Sequence, residues 1–443
     1  MRSEAGRRDF LKSMVRPATG PMTLRENAHG QKVSLLGYGA MRLPTVDGSH
    51  ANLQWGGSHA AIDRREVFAQ VDWAIEHGVN FFDTSPAYCR GESEGVMGEA
   101  LARHPREKWF ISTKMSNFAP STHPFAETEK MYRRSLELLR TDHLDYYHLH
   151  AVGMGGFDAF KARYLDNGAL EFCVKERAAG RIRNLGFSYH GDRRAWDWLI
   201  ERHETYRWDF ALIQLNYVDW RHGHALNDRN LDAEYLYGEL EKRNIPVLVM
   251  EPLQGGKLAQ FNYAVAEKLA PIDPGATPAH WAMRFAGHHP RVLSVISGMT
   301  YREHLEENAA TFSPMKPLSE RELAALEAAA QALVETHTVP CNQCQYCMPC
   351  PYGLDIPSIL GVLNRALAER RLPADPSDPA FAANRRRFLL DYELSVPEPL
   401  RRADRCTGCG RCLPHCPQQI DVPREILRVE DLVNALKSWK GDR

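Results

Sequence analysis

Residues 79–88 read VNFFDTSPAY. The first half is an apolar run of the kind that forms a buried strand; the second half turns polar at Asp83 and closes on Tyr88. In a parallel barrel, catalytic groups stand at the C-terminal ends of the strands. A strand that runs out in Asp and Tyr therefore predicts a fold and a place for chemistry together.

Working outward, short β-rich runs alternate with longer helical patterns from about residue 33 to 334. Eight strands are expected, at Leu36–Met41, Val79–Asp83, Trp109–Thr113, Leu144–His148, Ile182–Phe187, Phe210–Leu215, Val247–Met250 and Leu293–Ile296. Between them, stretches such as Arg65–His77, Thr128–Leu139 and Pro278–Ala286 place apolar residues at the three-and-four spacing of an amphipathic helix. Eight strand–helix units favour closure into an α/β (β/α)8 TIM barrel over an open sheet. The expected division is an N-terminal extension (1–30), the barrel (31–334), closed by a charged helix at Ser319–Glu335, and a small cysteine-bearing domain (335–443).

The 443 residues carry 55 Lys and Arg against 56 Asp and Glu, so net charge gives no reason to expect a nucleic-acid partner or an anionic membrane. No apolar run is long enough to span a bilayer. Gly6–Lys12, GRRDFLK, is similar to a twin-arginine export motif, but residues 13–30 contain Arg, Pro and Glu where an apolar signal core would stand. A cytoplasmic protein is expected.

The ends of the strand candidates supply Asp83 and Tyr88, then Lys114, then His150. Together they suit carbonyl reduction. A phenol, with a pKa near ~10, is a poor acid at neutral pH unless a cation assists it. Lys114 would supply the cation, Asp83 would orient the lysine, and His150 would hold the carbonyl oxygen or share its proton.

At these residues the chain resembles the aldo/keto reductase family. The resemblance rests on LGYGAMRLP (36–44), FFDTSPAY followed by GESE (81–94), WFISTKM (109–115), DYYHLH (145–150), IRNLGFS (182–188), QLNY (214–217), PLQGGKL (252–258) and ISGMTYREHLEEN (296–308). It implies NAD(P)H bound without a Rossmann fold, hydride transfer to a small-molecule carbonyl, Tyr88 as proton donor, and Asp83, Lys114 and His150 completing a tetrad. By position, it implies Ser188 and Gln214 on the carboxamide and Tyr217 stacked on the nicotinamide. Leu253, Gly255 and Lys257 would lie along the pyrophosphate, with Glu307 and Asn308 at the adenine. Tyr189 stands where many members have Asn on the carboxamide, and Ala151-Val152 follow His150 in place of the common Trp-Pro, so the substrate pocket stays open. Gly298 and His304 stand at positions where many members place basic residues on a 2′-phosphate, so NADH and NADPH stay open.

Eight of the ten cysteines lie beyond residue 340: Cys341, Cys344, Cys347 and Cys350, then Cys406, Cys409, Cys412 and Cys416. The second run has the C-x2-C-x2-C-x3-C-P spacing of bacterial ferredoxins, and the first is one residue shorter before its last Cys. Paired C-x-x-C elements also make zinc sites, but two such runs ending in Cys-Pro favour iron–sulfur. In two-cluster ferredoxins the fourth Cys serves the other cluster. One [4Fe-4S] cluster is therefore assigned to Cys341, Cys344, Cys347 and Cys416, and a second to Cys406, Cys409, Cys412 and Cys350.

Nicotinamide moves two electrons as hydride, whereas a cluster moves one at a time. No flavin signature bridges them. The leading expectation is a working carbonyl reductase whose clusters exchange electrons with a redox partner protein; a nucleotide-binding sensor with a silent barrel, or cluster-driven reduction, stand as alternatives.

Overall fold

The computed structural model describes residues 16–48, 60–226, 230–336, 338–416, 418 and 420–441. The twin-arginine-like stretch and most of the loop between Pro44 and Ile62 lie outside them. That loop is pinned at its base by a bridge between Thr45 and Ile62.

Eight parallel strands close into a barrel: β3 (Leu36–Gly39), β4 (Phe81–Asp83), β5 (Phe110–Met115), β6 (Leu144–Val152), β7 (Ile182–Tyr189), β8 (Phe210–Gln214), β9 (Val247–Met250) and β10 (Val292–Gly298). Every expected strand is present. Several run further at the C-terminal end, so Lys114, His150 and Ser188 lie within β5, β6 and β7. Phe81, Tyr146, Phe210, Leu248 and Leu293 fill the barrel interior.

The helices cover the outside for the reason their spacing gave. In Arg64–Glu76, Val67, Gln70, Val71 and Ala74 are buried, at positions i, i+3, i+4 and i+7 of one face. Asp63 caps that helix by accepting from the Glu66 N–H at 3.0 Å. Beyond its end stands Gly78, at φ +84°, where a Cβ would lie 2.9 Å from Met22 Cβ, so both conformation and space demand glycine. The closing helix Glu320–Glu335 begins with a reciprocal capping box between Ser319 and Glu322.

The extension is not all outside the fold. Leu24–Glu26 (β1) and Lys32–Ser34 (β2) form an antiparallel hairpin that floors the barrel. Val33 joins the interior cluster, Asn27 donates to the Tyr146 hydroxyl at 2.9 Å, and the Arg25 guanidinium donates to the carbonyls of Gly287, His289 and Val292.

Past residue 338 the described residues form helices and no strand. Ile356–Ala368, Phe381–Ser395 and Val422–Ser438 pack through Ile359, Leu363, Phe388, Ile426 and Val429. The likeness to ferredoxin thus resides in the two cysteine loops, which these helices carry. This unit sits on the barrel rim: Lys257 donates to Thr338 Oγ1 at 2.8 Å, Arg42 to the Asn342 carbonyl at 3.2 Å, and Arg370 pairs with Glu267 at 2.8 Å.

Candidate active site

The ends of three neighbouring strands, β4, β5 and β6, bring Asp83, Tyr88, Lys114 and His150 together in the barrel mouth, with exposures of 3, 8, 1 and 3%. Lys114 Nζ donates to Asp83 Oδ1 at 2.6 Å and to the Thr84 carbonyl at 2.7 Å, and lies 4.6 Å from the centroid of the Tyr88 ring. Asp83 Oδ2 accepts from Ser112 at 2.8 Å. Since Ser112 spends its proton there, the His148 Nε2 contact of 2.6 Å must be a donation from the ring to Ser112 Oγ. Asp83 is thereby fixed on both oxygens.

His150 meets the Tyr88 ring edge-on at 6.0 Å. Its Nδ1 lies 2.6 Å from Ser116 Oγ, which lies 2.8 Å from Ser85 Oγ, which accepts from the Ala87 N–H at 3.1 Å. The donors can be ordered. With the Ala87 N–H donating to Ser85, Ser85 donates to Ser116 and Ser116 to Nδ1, and no hydroxyl proton in the chain is orphaned. This leaves the proton on Nε2, the nitrogen free for the pocket. Burial, then the Lys114 charge, pushes the His150 pKa well below its ordinary value, so the ring is neutral. Burial drives the Tyr88 pKa well up and the Lys114 pKa down, the latter opposed by Asp83.

Behind the site, buried Arg163 donates to the carbonyl of His150 at 2.6 Å and of Ala151 at 3.2 Å. It clamps a turn in which Ala151 has φ +52°. The Ala151 N–H is held by Ser188 Oγ at 2.7 Å, leaving the Ser188 proton to donate elsewhere. On the next strand, the Gln214 amide donates to Asp219 at 2.6 Å, as do Asn216 at 2.5 Å and Gln254 at 3.0 Å. A carboxylate only accepts, so it is the Gln214 carbonyl that is left for the pocket. A hydroxyl donor and a carbonyl acceptor on neighbouring strand ends suit a carboxamide.

The rim residues are more dispersed. Leu253 is half-buried, Gly255 is in the left-handed region at φ +65°, and Lys257 is tied to Thr338. Glu307 accepts from Thr277 Oγ1, and Asn308 donates to Ser297 Oγ at 3.2 Å. Tyr217 requires correction: it is buried in the outer core, edge-on to Phe285, rather than in the mouth. At the end of β9, Met250 packs against the barrel interior. Tyr189 likewise turns outward, against Trp196.

The profile of the aldo/keto reductase family matches residues 36–331. The chain belongs to the aldo/keto reductase family. It is an NAD(P)H-dependent oxidoreductase, and residues 340–420 match a 4Fe-4S dicluster domain. This aldo/keto reductase is 25% identical to L-galactose dehydrogenase of Arabidopsis thaliana over 305 residues, covering 65% of this chain and 87% of the relative. It is 28% identical to methylglyoxal reductase of Escherichia coli over 284 residues, covering 63% and 89%. Among solved structures, an aldo-keto reductase from Bacillus halodurans superposes with a TM-score of 0.55 at 21% identity (70% and 97% covered). One from Klebsiella pneumoniae, in complex with NADP and acetate, gives 0.53 at 24% (69% and 94%).

In the reductase's second domain the two cysteine loops share one backbone signature. Gln343 (φ 54°) and Gln345 (φ 65°) in the first correspond to Gly408 (φ 67°) and Gly410 (φ 69°) in the second. Cys344 lies among Cys341, Cys416 and Cys347, while Cys412 lies among Cys406, Cys409 and Cys350. A cavity of about 380 Å³ is lined by Cys350, Cys406, Cys409 and Cys412 among others. Among the described residues, no three Cys, His, Asp or Glu side chains converge on a point for a single metal ion.

No pattern in the sequence singled out Ser112, Ser116, Arg163, Asp219, Glu251 or Tyr346. For His148 a signal existed: Tyr146, His148 and His150 alternate along one strand and face inward together.

Proposed function

We propose that this reductase converts a small aldehyde or ketone to the alcohol, with Tyr88 as proton donor. The observation that supports it most directly is the buried pairing of Lys114 with Asp83 beside the Tyr88 ring. Ser188 and Gln214 have the donor and acceptor that would orient the carboxamide of NAD(P)H, which would supply hydride to the carbonyl carbon. The carbonyl oxygen gains negative charge as hydride arrives. Neutral His150, with its proton on Nε2, donates a hydrogen bond to that oxygen, and the Lys114 charge, held in place by Asp83, stabilises it through the low-dielectric pocket. Tyr88 then delivers its proton to the oxygen. Its raised pKa ensures the proton is present at neutral pH and is surrendered only to a strong base such as the developing alkoxide.

The two cysteine quartets, Cys341/Cys344/Cys347/Cys416 and Cys406/Cys409/Cys412/Cys350, are proposed to hold two [4Fe-4S] clusters. Their crossed neighbours and the space beside the second quartet support that count. Such clusters supply one-electron transfer, proposed to run to or from a redox partner protein. Tyr88→Phe in the iron-loaded protein tests the catalytic reading. Carbonyl reduction should fall at least ~100-fold while NAD(P)H binding is retained; an unchanged rate refutes the role of Tyr88.

A further inference from the structure

The rim residues that would carry the pyrophosphate already have a ligand, and it comes from the chain itself. Asn342, between the first two cysteines of the first loop, points its backbone carbonyl at the rim. Arg42 donates to that oxygen at 3.2 Å. At Gly255 an added Cβ would lie 2.1 Å from the same oxygen, so the two backbones are in direct contact with no room between them for a phosphate. Lys257 is drawn off to Thr338, the residue at the start of the same segment. The Glu251 carboxylate lies against the Asn342 amide and the Gly255 N–H, and its Oε2 is buried without a hydrogen-bond partner. Tyr346, at the far end of the loop, packs on the barrel core next to Glu251 and within electrostatic reach of Tyr88.

The donors thus fit a dinucleotide while the space does not. A carbonyl oxygen bonded to a guanidinium beside a glycine is the arrangement a phosphate oxygen would adopt. We infer that residues 338–346 are a built-in competitor for the dinucleotide: NAD(P)H seats its pyrophosphate only when the first cysteine loop lifts off Gly255. This rests on the proposed carbonyl-reductase reading. Because the loop carries Cys341, Cys344 and Cys347, its position links cofactor occupancy to the first cluster. The free protein binds with an apparent Kd equal to the intrinsic Kd divided by the fraction of molecules with the loop lifted. By reciprocity, the nucleotide must perturb the surroundings of the first cluster.

The test uses anaerobically purified protein with its iron intact. NADPH and NADH are titrated by nicotinamide fluorescence against the parent and a Thr338→Val/Asn342→Ala variant, which removes the ties to Lys257 and Glu251 without touching a cysteine. The variant should bind at least fivefold more tightly. Hydrogen exchange on the parent gives a measurement that needs no variant: amides of 338–346 should exchange faster with nucleotide bound, while the strand ends exchange more slowly. The EPR signal of one cluster in the dithionite-reduced protein should shift on nucleotide addition. Equal affinities together with unchanged or slowed exchange in 338–346 overturn the competitor and leave the reductase reading standing. Failure of parent and variant alike to bind either nucleotide sinks both.

Discussion

Replacing Ser116 by alanine removes the hydroxyl that orders the His150 ring. The parent contact is 2.6 Å, and the next hydroxyl, Ser85, stands 3.5 Å from the same nitrogen, too far to substitute well. A buried hydrogen bond of this kind contributes about 0.5–1.5 kcal/mol net, and a ring nitrogen left unpaired costs about 1–3 kcal/mol. Part of that loss falls on overall stability. The share that bears on the transition state is the anchoring of Nε2–H toward the carbonyl oxygen, about 1–1.4 kcal/mol, which corresponds to roughly a fivefold to tenfold drop in kcat. Nothing in the relay touches a residue assigned to the dinucleotide, so nucleotide affinity should not change. Ser85→Ala breaks the relay one link further back and should cost only about two- to threefold, because Ser116 still reaches the ring. Steady-state kinetics with a model aldehyde, alongside NADPH fluorescence titration, separate the terms. A Ser116→Ala enzyme with unchanged kcat, or a Ser85→Ala enzyme more impaired than Ser116→Ala, would refute the relay.

Cys350→Ser and Cys406→Ser should each remove the same EPR signal from the reduced protein and cut iron from about eight to about four per chain; Cys341→Ser and Cys416→Ser should remove the other. If Cys350→Ser instead groups with Cys341→Ser, the ligands are not crossed. Gln345→Gly relieves a left-handed glutamine where the second loop has glycine, and denaturant titration should find it about 0.5 kcal/mol more stable with iron retained; a loss above ~1 kcal/mol would show that the side chain contributes more than the strain costs. Burial holds His280 down to about 4 in the folded protein, against ~6.5 unfolded. The unfolded chain therefore takes up the proton first, and stability falls as pH drops from ~6.5 toward 4, by about 1.4 kcal/mol per unit. His280→Gln should be spared that loss, narrowing the difference from the parent by about 2 kcal/mol between pH 6.5 and 5. Parallel stability profiles would contradict the buried neutral state.

The barrel and its tetrad could be read from the sequence because each signal is local. Asp83 and Tyr88 follow an apolar run, Lys114 and His150 do the same, and strand geometry alone places such residues at one mouth. Tyr217 was misplaced because it lies beyond the end of β8, where alternation no longer says which way a side chain faces. Ser112 and Ser116 look like strand filler until the histidines they bind are in place. The β1–β2 hairpin has three residues per strand, too few for a period to show. Asn342 and Tyr346 meet Gly255 and Glu251 across some ninety residues of chain, and long-range packing of this kind leaves no pattern in either segment.

That hairpin bears on how the protein is handled. The family match begins at residue 36 and the expected barrel division at residue 31, so either is an inviting point at which to start a shortened gene. A chain begun there would lose Arg25 and Asn27, stranding the carbonyls of Gly287 and His289 and the Tyr146 hydroxyl at the base of the interior. Trimming should stop short of Met22, whose side chain packs against Gly78, because the residues from there onward serve as the foundation of the barrel rather than as a tail.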